Sequence, residues 1–409
     1  MNIGIVGGSL AGCSAAIQLM KHGYRVSVFE RSGKTLWGRG GGIATTTEVL
    51  NEIRGEEMID DNFSSLTAKR MPFVGKAESY EPYGRAAWSM PMELQVFHWN
   101  ELWQQLRKNV PNECYHSGIE IVEAKQLENG EVALTTHSGE ELHFDLVLFA
   151  DGYNSFGRQI LFPDKELKYR GYVLWRGLFP ESGTKILDLP EENMPRLSYP
   201  GEPGHNVVYF IPGNSGSVKE GERILNWAAY IAVPDEDLDD LMTDNTGRVR
   251  VGTLPPGTLS ENNERKLKEY LSKHLPEFYA NIVSNTTDSY IQVIYTLDLD
   301  SYYKENMCLI GDAGMVVQPF TGSGIFKGYN NIKDLLASLA NHDTVEEALK
   351  EWSDKQVVTG KRLLAFGEQL EKALIWEPMD FATADEQEVA NWFKEAVTPP
   401  ENFNFHRDR

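Results

Sequence analysis

The opening segment limits the fold more than any other part of the chain. Residues 3–6 are a short apolar run, the pattern of a buried parallel strand. The turn Gly7-Gly8-Ser9-Leu10-Ala11-Gly12 follows. Residues 13–22 then place Ala16, Ile17, Leu19 and Met20 at helical spacing, and Gly23 supplies a helix stop. Residues 24–29 alternate into a second strand that ends at Glu30. Strand, glycine turn, helix and strand within about 30 residues make a βαβ unit.

Such a turn has a physical use. In the pattern G-x-G-x-x-G the first glycine permits the sharp turn, the second lets a pyrophosphate approach the backbone, and the third lets helix and strand pack closely. Gly7 and Gly12 match, and Ser9 takes the middle place with a small hydroxyl side chain. The helix N-terminus offers free N–H groups and partial positive charge to phosphates. Glu30 is placed to accept hydrogen bonds from ribose hydroxyls. This context predicts a dinucleotide site made of Gly7, Ser9, Leu10, Ala11, Gly12, Glu30 and Arg31. The alternative is a glycine turn of some other α/β protein, which the flanking strands and Glu30 disfavour.

With roughly 150 residues per domain, 409 residues allow two to three domains. The formal charge of −21 disfavours nucleic acid or an anionic membrane surface as main partner. No apolar run is long enough for a membrane span, and the start of the sequence lacks the pattern of a secretory signal. Three scattered cysteines imply no disulfide framework, so a cytoplasmic location is expected. No metal-ligand spacing points to a metal site. Residues 168–295 read as a mainly antiparallel sheet, with turns at Pro203-Gly204, Pro212-Gly213 and Pro256-Gly257. Rossmann-like character returns at Leu309-Ile310-Gly311-Asp312, and a helix is expected over 322–340.

Two further strand ends carry acidic turns, Ala150-Asp151-Gly152 and Gly311-Asp312-Ala313, the latter followed by Pro319, Gly322 and Gly324. With these the chain resembles the flavin-dependent aromatic hydroxylases, the single-component FAD monooxygenases with the p-hydroxybenzoate hydroxylase fold. The likeness is strongest to the subgroup typified by 2,6-dihydroxypyridine 3-monooxygenase. It rests on Gly7-Gly8-Ser9, on Gln95 with Trp99, on the run Tyr169 to Gly177 containing Trp175-Arg176-Gly177, and on Asn226-Trp227 with Tyr230.

The resemblance implies an α/β fold: a Rossmann-like FAD-binding domain, an inserted mainly antiparallel β-sheet substrate domain and a helical C-terminus. It divides the chain into an FAD domain over 1–70, 90–167 and 296–343, a substrate domain over 71–89 and 168–295, and a C-terminal helical region over 344–409. It implies FAD, with NADH or NADPH and O2 as co-substrates, hydroxylating an aromatic or heteroaromatic small molecule through a flavin C4a-hydroperoxide, in a monomer or homodimer. In the same way it assigns Asp312 to a ribityl hydroxyl, Pro319 to the isoalloxazine edge, and Gly322, Ser323 and Gly324 to its pyrimidine end. Asp151 goes to the pyrophosphate side, Arg39 to the dinucleotide and flavin approach, Gln95 to the flavin, and Val122 to the adenine.

The sequence departs from the subgroup at Gln318-Pro319-Phe320, where Arg-Pro-His is usual, and at Phe326. This puts a dihydroxypyridine substrate in doubt. His98 is the first candidate for a general base, and Tyr209, Tyr230 and Phe320 are candidates for the substrate pocket. His205 reads as a turn residue and Cys13 as a buried packing residue. Other readings are oxidation of a larger natural product or an antibiotic, a flavin reductase without oxygen insertion, and a non-enzymatic FAD-binding sensor.

Overall fold

The computed structural model of the chain describes residues 1–36, 40–183, 189–190 and 192–399. The expected first strand, Asn2–Val6, lies inside a six-stranded sheet. Its order is Tyr303–Lys304, Met307–Leu309, Leu146–Phe149, Asn2–Val6, Arg25–Glu30, Tyr115–Ser117. Neighbours run parallel except at the Tyr303–Lys304 edge. Ile3, Ile5, Leu146, Val147, Leu148 and Phe149 are wholly buried, which is why these strands read as unbroken apolar runs. The connecting helix is Leu10–Lys21, and Gly23 beyond it takes the left-handed conformation, at φ +82°.

A nine-stranded sheet makes up the second layer. Its order is Thr253–Leu254, Tyr290–Thr296, Lys168–Pro180, Ile224–Ala232, Gly204–Ile211, Arg196–Ser198, Leu66–Gly75, Arg85–His98, Gly42–Thr46. It is antiparallel except where Leu66–Gly75 meets Arg196–Ser198. The sheet therefore draws in more of the early chain than the expected 71–89. Ladder pairs such as Thr46↔Leu94 and Leu66↔Val96 carry Gly42–Thr46 and all of Leu66–Gly75 and Arg85–His98 into it. Polar and apolar residues mix in these segments, so their strand periodicity is weak. A third, three-stranded sheet comprises Ile121–Gln126, Val132–Thr136 and Glu141–Phe144.

One face of the large sheet packs on helices Glu261–His274 and Glu277–Ser284. Trp175 and Trp227 meet edge to face there, at 5.1 Å, and each indole N–H donates to a hydroxyl, of Ser289 and Thr286 respectively. The opposite face carries Tyr172, Leu174, Ala228 and Tyr230, and it meets Phe320 and Ile375. The C-terminal part reaches both layers. Helix Val345–Glu371 sends Trp352 into the core of the six-stranded sheet. The π-helical turn Lys372–Trp376 then crosses the large sheet, and Phe381, Trp392 and Phe393 close on Phe73. No helix among the described residues is long and apolar enough to cross a membrane.

Candidate functional site

The glycine turn has the shape that its sequence requires. A Cβ on Gly12 would lie 1.8 Å from the Gly7 carbonyl oxygen, so only glycine lets the helix sit this close to the strand. Gly7 has φ +108°, and a Cβ there would meet the Ala150 carbonyl at 2.5 Å. Ser9 occupies the N-cap of Leu10–Lys21, yet its hydroxyl makes no capping bond and no acidic residue lies in the first turn. The first N–H groups of a helix have no intrahelical partner, so hydroxyl and amides together face outward ready for an anion. Glu30 is buried and accepts from the backbone N–H of Gly8 and of Ser32, both at 2.9 Å. Ala11 packs against Gly311 and Gly328, joining the turn to the second acidic motif. Cys13 is buried with its thiol pushed up to about 12, as a packing residue should be. Arg31 is exposed beside Glu30.

The Gly-Asp motif forms the facing wall. Gly311, at φ +58°, donates its N–H to Asn331 at 2.8 Å. Asp312 keeps 48% of its side chain exposed and pairs with the buried Lys327 at 2.5 Å. Lys327 also donates to the Met315 carbonyl at 2.6 Å, so it anchors Asp312 to a fixed point. Pro319 starts a short turn that ends at Gly322, which is left-handed at φ +69°. The helix expected from 322 therefore begins only at Phe326, because a left-handed residue cannot lie within it. Pro319, Gly322 and Gly324 are exposed, and a Cβ on either glycine would meet nothing within 4 Å. Ser323 is buried, with its hydroxyl 2.9 Å from that of Thr321.

Several expected site residues are engaged otherwise. The Gln95 amide is spent inside the sheet, donating to Thr47 and Thr67 and accepting from Ser65. Asp151 caps the helix Phe156–Leu161: it accepts from the Ser155 hydroxyl at 2.6 Å and from the N–H of Phe156 at 2.7 Å. Val122 is exposed on the small sheet, just beyond Ile119, whose N–H donates to Glu30 O. Arg39 lies outside the described residues.

His98 is not placed as a base. Its Nδ1 accepts from the Asn100 N–H at 3.1 Å, capping helix Trp99–Lys108, so the ring proton belongs on Nε2. Burial, helped by the Arg176 charge, lowers its pKa to about 4. A neutral imidazole whose free nitrogen is already an acceptor to the backbone has no lone pair to offer a substrate.

The face of the large sheet that meets Phe320 and Ile375 brings together residues that sequence alone left apart. Tyr230 lies 5.5 Å from Phe320, whereas Tyr209 abuts Gly42 and belongs to a different apolar cluster. Burial raises the pKa of both tyrosines, to about 12 for Tyr209, so they stay protonated at neutral pH. His205 sits in strand Gly204–Ile211 rather than in a turn, and stacks on Tyr230 at 4.5 Å. Its Nδ1 faces the Leu374 carbonyl and its Nε2 faces Arg196, so it is held neutral by burial and by that guanidinium.

Arg176, Asn226 and Tyr290 surround the loop Gly40 to Gly42. Gly42 donates to Asn226 and accepts from Arg176, both at 2.7 Å. Glu371, from the C-terminal helix, joins Arg170, Tyr172, Gln318 and Trp376. Burial opposes its charge, but Arg170 and Gln318 hold its carboxyl below the usual range. Alternation in the strands could have pointed to Arg176 and Asn226; nothing local marks Glu371, which lies some 200 residues from Arg170 and Tyr172.

Two models of known families match. One described as NAD(P)-binding Rossmann-like domain covers residues 5–52, and one described as FAD binding domain-like covers residues 169–296. Along the sequence the chain is 27% identical to 2,6-dihydroxypyridine 3-monooxygenase of Paenarthrobacter nicotinovorans, over 88% of each. The likeness is to a flavin-dependent aromatic hydroxylase and runs along most of both chains. The solved 2,6-dihydroxypyridine-3-hydroxylase from Arthrobacter nicotinovorans superposes with a TM-score of 0.80 at 24% identity, covering 94% of both chains. A point variant of Klebsiella pneumoniae HpxO, complexed with FAD, superposes with a TM-score of 0.75 at 15% identity, over 98% of this chain and 99% of that one. These superpositions show a shared fold, here a Rossmann-like layer joined to an antiparallel sheet and a helical C-terminus.

The residues present fit a flavin dinucleotide. The uncapped Ser9 hydroxyl, the glycine cradle, the outward Asp312 and the open space over Gly322 and Gly324 are the features such a ligand needs.

Proposed function

We propose that this chain is an FAD-dependent monooxygenase that uses NAD(P)H and O2 to hydroxylate a planar aromatic or heteroaromatic small molecule. The observation that carries this reading is the juxtaposition around Phe320. The turn that follows the Gly-Asp motif meets an aromatic, polar sheet face there, which sets the place expected for a redox ring beside the place expected for a substrate ring. The three free cysteines fit a reducing compartment such as the cytoplasm.

FAD supplies the two-electron and oxygen chemistry when bound. The protein's part is to hold and shield. The first-turn amides of Leu10–Lys21, with Ser9, would hold the pyrophosphate, and Glu30 the adenosine ribose. Asp312, fixed by Lys327, would accept from a ribityl hydroxyl. The backbone N–H of Gly324 would face the ring, where a donor stabilises developing negative charge, while those of Gly322 and Ser323 hold the turn by donating to the Pro319 carbonyl and the Thr321 hydroxyl. Phe320, Tyr172 and Tyr230 form the apolar side of the substrate space and exclude water from it. Tyr209 and Tyr230, kept protonated by burial, act as hydrogen-bond donors to the substrate.

The test is direct. Purified protein should carry flavin absorbance, and a suitable aromatic compound should accelerate NAD(P)H oxidation with matching O2 uptake and a product heavier by one oxygen atom. Protein that neither contains nor takes up FAD ends the proposal. NAD(P)H oxidation that reduces the organic compound with no oxygen uptake would instead make it a reductase.

A further inference from the structure

Gln318 is wholly buried, although the next residue, Pro319, is exposed. Its side chain reaches back to the helix Val345–Glu371. The amide Nε2 donates to the Glu371 carboxylate at 2.9 Å. The amide oxygen lies against Gly367, where a Cβ would come within 2.0 Å of it. Among the described residues that oxygen has no hydrogen-bond partner, so its contact with Gly367 is one of shape. Gly367 and Glu371 are four residues apart and so share one face of the helix. Together they make a socket for a glutamine amide, the glycine giving space and the carboxylate an acceptor. A glycine inside a helix costs about 1 kcal/mol relative to alanine, and at Gly367 the docked amide accounts for it. Glu371 is fixed in turn. Arg170 donates to it at 2.6 Å, the Tyr172 hydroxyl at 3.2 Å and the Trp376 indole at 3.3 Å.

The turn beyond Gln318 is built on the same residue. Its carbonyl accepts from the Thr321 N–H at 3.2 Å and from the Thr321 hydroxyl at 2.9 Å. That hydroxyl lies 2.9 Å from the Ser323 hydroxyl and accepts from the Ser323 N–H at 3.5 Å. Polar contacts therefore run unbroken from the large sheet, through Glu371 and Gln318, to the residue before Gly324. The other side of the turn is open. Pro319, Gly322 and Gly324 are exposed, and among the described residues nothing lies within 4 Å of a Cβ built on either glycine. Phe320 gives a second grip by stacking on Tyr172 at 6.4 Å. Apolar packing is non-directional, however, whereas a hydrogen bond weakens steeply with angle. The Gln318 amide is the directional link between this turn and the C-terminal helix.

We propose that Gln318 is a positioning residue: docked between Gly367 and Glu371, it holds the Pro319–Gly324 turn at the place where the Gly324 N–H meets the flavin ring. This rests on the reading of the chain as an FAD-dependent monooxygenase, and it adds how the C-terminal helix takes part. The helix touches no reacting atom. It acts by keeping a backbone donor aimed at the ring, where such a donor favours the reduced, negatively charged flavin over the oxidised one. A turn set free from the socket aims that donor less well, so the bound flavin becomes harder to reduce.

The experiment uses the flavin-loaded protein and measures the midpoint potential of the bound flavin, its visible circular dichroism, and Tm. Gln318→Met keeps the shape of the side chain and removes the amide. Gly367→Ala puts a methyl group where the amide oxygen lies. Each should lower the potential by about 30 mV or more, a tenfold loss of preference for reduced flavin in a two-electron couple. Each should also change the visible dichroism and lower kcat more than it raises KM. Gln318→Glu should match the unaltered protein at a pH where the new carboxyl is protonated and can donate to Glu371, and should behave like Gln318→Met once that proton is lost. A role in stability alone lowers Tm and leaves potential and dichroism as they were, and that result overturns the proposal while the hydroxylase reading stands. Gln318→Met carries this test even if Gly367→Ala fails to fold. Shifted potentials in a protein that shows no NAD(P)H-dependent oxygen uptake with any aromatic compound keep the positioning role and overturn the hydroxylase reading. Protein that takes up no flavin overturns both.

Discussion

At the scale of single residues, burial sets the chemistry. His98 is held neutral by burial and by Arg176, with its pKa at about 4. A histidine whose folded pKa lies below its unfolded value stabilises the fold above that unfolded value, near 6.5. This stability fades as pH falls from about 6.5 towards about 4. Between pH 7 and pH 5 the expected loss from this one group is about 2 kcal/mol. His98→Asn keeps a capping acceptor and removes the titration, so its urea midpoint should fall less steeply over that range. An unchanged slope would mean that folding does not lower the pKa of His98. Gly12 is set by space alone. Gly12→Ala puts a methyl group where the Gly7 carbonyl lies, and flavin retained after gel filtration should drop more than tenfold. Asp312→Ala should also lower flavin retention, and Asp312→Asn less so, since the amide can still meet a hydroxyl; flavin absorbance per protein checks both.

At the scale of elements, local pattern was enough where contacts are local. The first βαβ unit was readable because its glycines, apolar run and final carboxylate all lie within one short stretch. The start of the helix Phe326–Asn341 was not, because the left-handed turn at Gly322 depends on how Pro319–Thr321 packs. Gln95 and Asp151 look like ligand contacts by resemblance, but nearby hydroxyls and amides absorb their hydrogen bonds. The C-terminal helix gave no signal of its part in the site. Its Glu371 ties Arg170, Tyr172 and Gln318 into one buried network, and the π-helical turn behind it brings the Leu374 carbonyl to His205. Glu371→Ala leaves the Arg170 charge half-buried and unpaired at this point, which should cost about 3 kcal/mol or more in urea unfolding. A change below about 1 kcal/mol would show that Glu368, which also meets Arg170, carries the pair alone.

At the scale of the whole molecule, the layers are stitched by both ends of the chain. Phe381, Trp392 and Phe393 cover Phe73 and Trp88, and Arg85 donates to the carbonyls of Phe381, Ala382 and Ala384. Deleting residues 378–409 should expose this aromatic patch, lower Tm by several degrees or more, and give aggregates in light scattering.

The central sheet has a further consequence in time. Asn2–Val6 pairs with Leu146–Phe149, which pairs in turn with Met307–Leu309, and Asp312 follows directly. At about 5–20 residues per second, a ribosome needs roughly 15–60 s to reach that aspartate. Until then the glycine turn has no facing wall, and the nascent chain cannot close round a dinucleotide. The apolar strand Leu146–Phe149 has one edge open until Met307–Leu309 is made and is exposed to wrong partners meanwhile, so the yield of active protein should depend on what shields the first half during synthesis.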